Sequence, residues 1–316
     1  MRLRYLLPTL LIGSIALAKE QKLLLEEKIA LVENRKPLLQ QKPLWELFSD
    51  KNAKIIFQKI LQGKPNNEQK RWINAIEFLQ IDEAQLRELD GFECFQNLKR
   101  LSLARNLIKN ALPLTSLPRL EELDLSNNGI NNAIATILSG IETLKILNVS
   151  NNQLKYTYTC NFKDMEELNL SHNKIEQIQA TNANDLLTSI DISDNPTTSI
   201  LPPFALPSLK IFLANKTFLR DLSPLFACKN LEVLEVENCC HLKSIEKWFT
   251  LQGLSYVCVF PKLKKLSISE NFLNEKSKEI LKSLYQGMLD HRIILNGRTI
   301  ESKHPLQEKT VIRLNP

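Results

Sequence analysis

The sequence predicts an α/β solenoid with a helical N-terminal cap. In this fold a curved parallel sheet lines the concave face, and short turns or 3-10 segments line the convex face. Two observations predict it. A nine-residue pattern recurs at a nearly constant interval through the middle of the chain. The 316 residues also include 57 Leu and 28 Asn but only 8 Gly. Short repeated units cannot bury an apolar side alone, so they must stack.

The scarcity of glycine argues against several classes of enzyme. Dinucleotide folds, nucleophile elbows and phosphate loops need glycine where the backbone turns sharply or approaches a ligand. The formal net charge of +6 comes from 41 basic and 35 acidic residues and is too mixed to indicate a nucleic-acid partner. The composition is that of an ordinary soluble protein, and we expect no nucleic-acid partner.

Residues 1–18 resemble a secretory signal peptide. Arg2 and Arg4 precede an apolar stretch, and Ala16 and Ala18 stand at the two positions that a signal peptidase reads. The stretch is too short for a comfortable transmembrane span, although an uncleaved anchor is the alternative. We expect cleavage after Ala18, export to the periplasm, the cell surface or the medium, and no membrane span in the mature chain.

The repeat reads apolar-x-x-apolar-x-apolar-x-x-Asn. Six copies carry every position, and three weaker copies place Ala84, Thr217 and Cys239 where Asn is expected. The x-apolar-x core predicts a short strand with alternate residues inward. An Asn amide donates and accepts hydrogen bonds, so it can satisfy the backbone groups of a buried turn. The copies begin at residues 76, 98, 120, 144, 165, 187, 209, 231 and 263.

This pattern resembles the leucine-rich repeat family, in its short class of about 22 residues per unit. The resemblance covers about 200 residues and implies a solenoid that binds polypeptides on its concave face. The signal and the short repeats are similar to those of secreted or surface leucine-rich repeat proteins of bacteria that bind host or envelope proteins. The predicted domains are a signal peptide at 1–18, a helical N-terminal cap at 19–72, a solenoid of about nine units at 73–274 and a C-terminal cap at 275–316.

The variable strand residues would form the concave face if the solenoid curves as the family does. Their middle is acidic and their ends are more basic, while two adjacent units carry an apolar patch. We expect partner binding to weaken without a change in the thermal melt when the charge is reversed at Glu122, Asp124 and Glu167, or when alanine replaces Ile211, Leu213 and Val233. A register error of one residue in the unit at 209 would instead turn the patch inward. The candidate partner-binding residues are Arg100, Glu122, Asp124, Ile146, Glu167, Asp191, Ile211, Leu213, Val233 and Glu235.

The ends of the chain lack the repeat. Amphipathic or helical patterns occupy 19–32, 44–61 and 68–79 before the solenoid and 276–289 after it. The N-terminal patterns predict a cap over the open apolar end of the solenoid, and a separate binding domain is the alternative. A strand, a turn at Asn296-Gly297 and an extended tail follow.

One step between units is 32 residues long, and it hides an insertion at about 245–262. The insertion carries Trp248, Phe249, Tyr256 and Phe260. It is either a loop on the binding side or a degenerate unit with its aromatic residues in the core.

The six cysteines are scattered in apolar contexts, which favours buried free thiols. A bridge among Cys228, Cys239 or Cys240, and Cys258 is the alternative, because export would permit disulfides. Cys239-Cys240-His241 superficially suggests a metal site, but Cys239 occupies the inward Asn position, so adjacent ligands would point apart. None of the four histidines has a flanking catalytic pattern. We predict no enzyme activity, no cofactor and no metal.

We thus predict an exported, monomeric protein-protein interaction module that binds a polypeptide partner, such as a host or envelope protein. Two alternatives stay open. One is a structural or carbohydrate-contacting envelope protein, although Phe78 is the one aromatic residue on the predicted strand face. The other is a cytosolic regulatory scaffold, if residues 1–18 are retained. Asn-x-Ser/Thr sequons at Asn148, Asn169 and Asn215 also leave a eukaryotic secreted origin open.

Overall fold

The computed structural model describes residues 43–158, 164–179, 185–201, 206–252, 255–283, 292–295, 298–299 and 311–315. The predicted signal peptide, the helix predicted at 19–32 and the turn predicted at Asn296-Gly297 lie outside these ranges. None of the helices within them is long and apolar enough to cross a membrane.

A continuous parallel sheet runs through the solenoid, with one strand from each predicted unit. Each strand begins two residues after the start that the repeat predicts, so the α/β solenoid is confirmed. In sheet order the nine strands are β1 (Phe78–Gln80), β2 (Arg100–Ser102), β3 (Glu122–Asp124), β4 (Ile146–Asn148), β6 (Glu167–Asn169), β8 (Ser189–Asp191), β10 (Ile211–Leu213), β11 (Val233–Val236) and β14 (Lys265–Ser269).

The strands keep one register along the sheet, so their central apolar residues stack across units. The unit at 209 follows the predicted register, because Phe212 and Ala214 are fully buried while Ile211 and Leu213 are half-buried. The one-residue shift is therefore wrong. The stacked central residues are Leu79, Leu101, Leu123, Leu147, Leu168, Ile190, Phe212, Leu234 and Leu266.

A row of amides closes the turns at the edge of the sheet where the strands end, which we call the strand-end rim. Asn152 Nδ2 donates to O of Leu125 in the preceding unit and to O of Val149 in its own, each at 3.0 Å. Its Oδ1 accepts from N of Ile130 at 2.9 Å. The role predicted for Asn is therefore confirmed. The same three kinds of bond are made by Asn106, Asn128, Asn173 and Asn195.

The later units close their turns differently. Thr217 Oγ1 and Cys239 Sγ both donate to O of Ala214, at 2.9 and 3.1 Å, and neither supplies the full set of amide bonds. Asn271 corrects the prediction, because its side chain is exposed. The chain passes directly from β14 into a 3-10 helix at Glu270–Phe272, so the inward turn is not made there.

The residue before the Asn position has a left-handed backbone in eight successive units. Its φ lies between 54° and 57°, a conformation that glycine adopts most readily, yet none of the eight is glycine. The few glycines of the chain are therefore not placed at these turns. The eight residues are Glu83, Arg105, Asn127, Asn151, His172, Asp194, Lys216 and Asn238.

The convex side is more varied than the predicted turns and 3-10 segments. The 3-10 helices are Phe92–Cys94, Leu112–Ser116 and Ser223–Ala227. Three neighbouring units instead form a second parallel sheet, whose central residues Thr157, Ile178 and Ile200 are β-branched and favour strands. Its strands are β5 (Tyr156–Tyr158), β7 (Gln177–Gln179) and β9 (Ser199–Leu201).

The described part of the N-terminal segment is helical. It contains a 3-10 helix at Leu44–Leu47, then α1 (Lys51–Leu61) and α2 (Asn66–Ala75). The helix predicted at 68–79 is wrong at its end, because the chain enters β1 at Phe78. The rings of Phe48 and Phe57 stack at 4.0 Å inside the core. On the convex side of the solenoid, the α-helix α3 spans Asn132–Leu138.

Asp50 joins this cap to the first unit. Its Oδ1 accepts from N of Asn52 and Ala53 at 2.8 and 3.1 Å, which caps α1. Its Oδ2 accepts from N of Arg87 and Glu88 at 2.7 and 3.3 Å. Burial raises the pKa of this carboxyl, but the four backbone donors outweigh burial and the net pKa lies below its ordinary value.

Asn52 completes the strand-end rim at the first unit, where Ala84 has no amide. Its Nδ2 donates to O of Ala84 at 3.0 Å. The helical cap thus supplies a donor to the Ala84 carbonyl, which would otherwise be left to water.

The insertion at 245–262 forms an antiparallel hairpin of β12 (Phe249–Gln252) and β13 (Ser255–Cys258). Trp248 and Phe260 are 2% and 1% exposed, and their rings meet edge to face with centroids 6.5 Å apart. These aromatic residues enter the core, which supports the degenerate-unit interpretation.

The C-terminal segment extends the main sheet. Helix α4 spans Glu275–Ser283, and the helix predicted at 276–289 is described to that point. Strand β17 (Val311–Asn315) lies parallel between β14 and β15 (Arg292–Leu295), and β15 pairs antiparallel with β16 (Arg298–Thr299). The domain boundaries near 72 and 274 stay predictions.

Candidate functional site

The flanking residues of the nine strands form two columns on the exposed, concave face of the sheet. All ten candidate residues lie in these columns, in the register that the repeat predicts. The first column reads Phe78, Arg100, Glu122, Ile146, Glu167, Ser189, Ile211, Val233 and Lys265. The second reads Gln80, Ser102, Asp124, Asn148, Asn169, Asp191, Leu213, Glu235 and Ser267.

Two carboxylates in the middle of the first column are available to a partner. Glu167 is exposed and Glu122 is half-buried, with Ile146 between them in register. Within the described residues, neither carboxylate makes a hydrogen bond or an ion pair. Both can therefore accept from a basic group without breaking a contact of the fold.

Asp124 and Asp191 have a structural task that the sequence reasoning missed. Each Oδ1 accepts from the backbone N two residues later, at Ser126 and Ser193, with both distances 2.8 Å. Such Asx turns close the ends of the strands. In contrast to the expectation from the sequence, we therefore predict that reversing the charge of Asp124 lowers the melting temperature. The signal was an Asx-x-Ser pattern in four consecutive units, and the other two members are Asn148 and Asn169.

Glu235 and Arg100 are already engaged. Lys265 Nζ lies 2.5 Å from Oε1 of Glu235, and Asn215 Nδ2 donates to its other oxygen at 3.1 Å. The guanidinium of Arg100 lies 5.4 Å from the ring centre of Phe78, which is 54% exposed. A partner that used either charge would first have to displace these contacts.

An apolar patch, defined here as Ile211, Leu213 and Val233, interrupts the polar face. Ile211 and Val233 stand directly opposite each other on adjacent strands, and all three side chains are half-buried. Glu235 follows on the same face. The patch is continuous over two units, as the sequence predicts, but its side chains are only partly exposed to solvent.

The described cysteines do not form a reactive centre. Cys94, Cys228, Cys239, Cys240 and Cys258 are all free thiols, so the alternative of a bridge among the last four is wrong. Burial raises the pKa of the Cys258 thiol to about 11, and burial also raises the pKa of the Cys228 and Cys239 thiols. A protonated thiol is a poor nucleophile. Within the described ranges, no group of three or more His, Cys, Asp or Glu side chains is placed to hold a metal ion.

Comparison with known proteins agrees with this architecture. Residues 96–140 match a family model described as leucine rich repeats in two copies. No curated protein matches the sequence. Internalin C2 of Listeria monocytogenes is similar over 62% of this chain and 88% of its own, with a TM-score of 0.53 and 22% identity.

Two further solved structures share the fold. A leucine-rich repeat protein of Leptospira interrogans is similar over 69% of this chain, with a TM-score of 0.50 and 22% identity, and this chain spans 49% of its length. The leucine-rich repeat domain of APL1B is similar over 61% of this chain and 64% of its own, with a TM-score of 0.50 and 18% identity. The matched residues carry the leucine-rich repeat pattern, and the chain as described has the fold of leucine-rich repeat proteins.

Proposed function

We propose that this protein is an exported, non-enzymatic interaction module that binds a polypeptide partner on its concave face. The observation that carries the proposal is the apolar patch, which places three apolar side chains together at solvent-facing strand positions on a face that is polar at most other positions. Contiguous apolar groups on a surface often mark partner contacts. Repeat solenoids also present extended concave surfaces for binding.

A host or envelope protein is the proposed partner, and the protein is proposed to act as a monomer without nucleic acid. Export rests on the signal-like residues 1–18. Mass spectrometry of the mature N-terminus tests it, and a mature chain that begins at Lys19 is expected. A mature chain that keeps residues 1–18 would favour the cytosolic scaffold instead.

The binding test uses two concave variants. One carries Glu122→Lys with Glu167→Lys, and the other carries alanine at all three positions of the apolar patch. The mature protein is used as bait in affinity capture, the retained protein is identified, and its dissociation constant is measured with each purified variant. We expect each variant to bind about tenfold more weakly, because a few buried contacts carry most of the energy of an interface. Asp124 is left intact because it caps a strand.

The matched control carries Glu142→Lys with Glu176→Lys, the same change in charge at exposed positions off the strand columns. It is expected to bind like the wild type. Wild-type affinity in both concave variants would refute binding on this face.

A further inference from the structure

The edge of the sheet where the strands begin, the strand-start rim, carries a column of charges. We call this column the charge ladder, and it consists of the residue before each of the nine strands. Backbone hydrogen bonds fix its spacing, as where N of Lys99 donates to O of Glu77 at 2.8 Å. The members are Glu77, Lys99, Glu121, Lys145, Glu166, Thr188, Lys210, Glu232 and Lys264.

Six members of the ladder form three ion pairs, two before its centre and one after it. The sign alternates from Glu77 to Glu166, fails at Thr188, and alternates again from Lys210 to Lys264. The pairs are Lys99 with Glu77 at 3.0 Å, Lys145 with Glu121 at 2.8 Å, and Lys264 with Glu232 at 3.1 Å.

Two opposite charges are left over on either side of Thr188. The pKa of Lys145 is raised first by its hydrogen bond to Glu121, and Glu166 contributes only at longer range. The carboxylate of Glu166 and the ammonium of Lys210 make no ion pair or hydrogen bond within the part of the chain that the structure describes. Their backbones are two strands apart, which is about 10 Å.

A cavity of about 390 Å³ opens at this break. One wall is apolar, because Leu186 is 47% exposed there. The Asn230 amide is already engaged, since its Nδ2 donates to O of Pro207 and its Oδ1 accepts from Lys262 Nζ, both at 2.6 Å. Glu166 and Lys210 are the charged groups of the lining, beside the hydroxyls of Thr188 and Ser208. The lining residues are Glu166, Leu186, Thr188, Ser208, Lys210 and Asn230.

We propose that this break is a second binding site, which takes a zwitterionic peptide segment. A basic side chain of the segment lies against Glu166 and an acidic one lies against Lys210, so the ligand supplies the opposite charges that the other ladder members supply to each other. The aliphatic stem of the basic side chain packs on Leu186. A simple cation or anion would satisfy one end of the site and leave the other unpaired.

The test uses the blocked tripeptide acetyl-Lys-Gly-Glu-amide, because alternate side chains of an extended peptide point the same way. Its affinity for the full chain is measured by ligand-observed NMR titration. The singly charged peptides acetyl-Lys-Gly-Gln-amide and acetyl-Gln-Gly-Glu-amide are compared. We expect the zwitterionic peptide to bind about two- to fivefold more tightly than either, as exposed ion pairs are individually weak. Equal affinity for the three peptides would overturn the proposal.

Variants locate the site. Glu166→Gln is expected to abolish the preference for the zwitterionic peptide over acetyl-Gln-Gly-Glu-amide, and Lys210→Gln is expected to abolish its preference over acetyl-Lys-Gly-Gln-amide. Glu77→Gln makes the same chemical change elsewhere in the ladder and is expected to leave the preference unchanged. If Glu77→Gln weakened binding as much as Glu166→Gln, the attraction would be general and the site would be refuted. The site shares no residue with the concave face, so the two proposals fail independently.

Discussion

The strand-end rim and the strand-start rim of the sheet are built from different chemistry. Amides close the strand-end rim, all of them buried except the half-buried Asn128, and each bonds to backbone groups of two successive units. Exposed ion pairs run along the strand-start rim, and each of them joins side chains only. A buried polar group that loses its partner is expensive, whereas an exposed ion pair contributes little. The strand-end rim therefore tolerates little change, and the strand-start rim is free to serve recognition.

Asn152→Ala is expected to give the largest effect. Deleting this amide leaves several buried backbone groups of two units without partners, at about 1–3 kcal/mol each. We expect the free energy of unfolding to fall by about 3–5 kcal/mol in urea titration. Asn151→Ala is the control, since the adjacent side chain is exposed and loses only a left-handed preference of about 1 kcal/mol. Equal losses in the two variants would remove the distinction between buried and exposed groups.

Asp50→Ala is expected to follow, with a loss of about 2–4 kcal/mol, because it frees four backbone donors where the cap meets the strand-end rim. The effect depends on pH. Since the folded-state pKa of Asp50 is lowered, its ionisation stabilises the fold fully above the unfolded value of about 3.9. That contribution is lost as pH falls through the folded-state value.

The neutral variant Asp50→Asn sharpens this test. Its stability deficit relative to the wild type is expected to shrink between pH 7 and pH 3 in denaturant titrations. The exposed substitution Asp185→Asn is the control for a general effect of net charge. A deficit that stayed constant over this range would contradict the assigned cause.

Asp124→Ala is expected to lower the free energy of unfolding by about 1 kcal/mol, the usual value of a local capping bond. Asp124→Asn keeps the acceptor for N of Ser126 and is expected to unfold like the wild type. This pair separates a capping role from a role in partner binding. If Asp124→Ala were as stable as the wild type, the side chain of Asp124 would have no capping role and would be available to a partner.

Glu121→Gln is expected to give the smallest effect, with a thermal melt within error of the wild type. Its ion pair with Lys145 is exposed on the strand-start rim and is screened by salt. A clear drop in melting temperature would show that this rim is also structural. The ladder would then be a poor place for a binding site.

The repeat predicts the main sheet well because each unit states its own register. The second residue of β10, Phe212, is buried as the pattern requires, even though its unit has Thr217 at the Asn position. The Asn position of the repeat gives a wrong prediction at Asn271, because a 3-10 helix follows β14 directly and the inward turn is not made. The pattern says little about convex segments such as β7, whose partners are about 22 residues away and become neighbours only after the units stack.

The candidate site is harder to predict than the fold for a related reason. A residue's place in a column follows from the repeat, but its availability depends on what neighbouring units offer it. Glu122 and Glu235 both occupy the concave face, yet Glu235 is bound by Lys265 from the next strand. The cavity beside Lys210 has the same origin, since it requires a failure of pairing among three units.

The eight left-handed turns also bear on how this protein could be engineered or could evolve. Five of them hold a residue other than glycine or asparagine in a conformation that such residues adopt reluctantly, and each lies in a different unit. Heat tolerance could therefore be adjusted in small independent increments by introducing glycine or asparagine one turn at a time. Such changes would leave the strand columns and the charge ladder untouched, so durability and recognition can vary separately in this molecule.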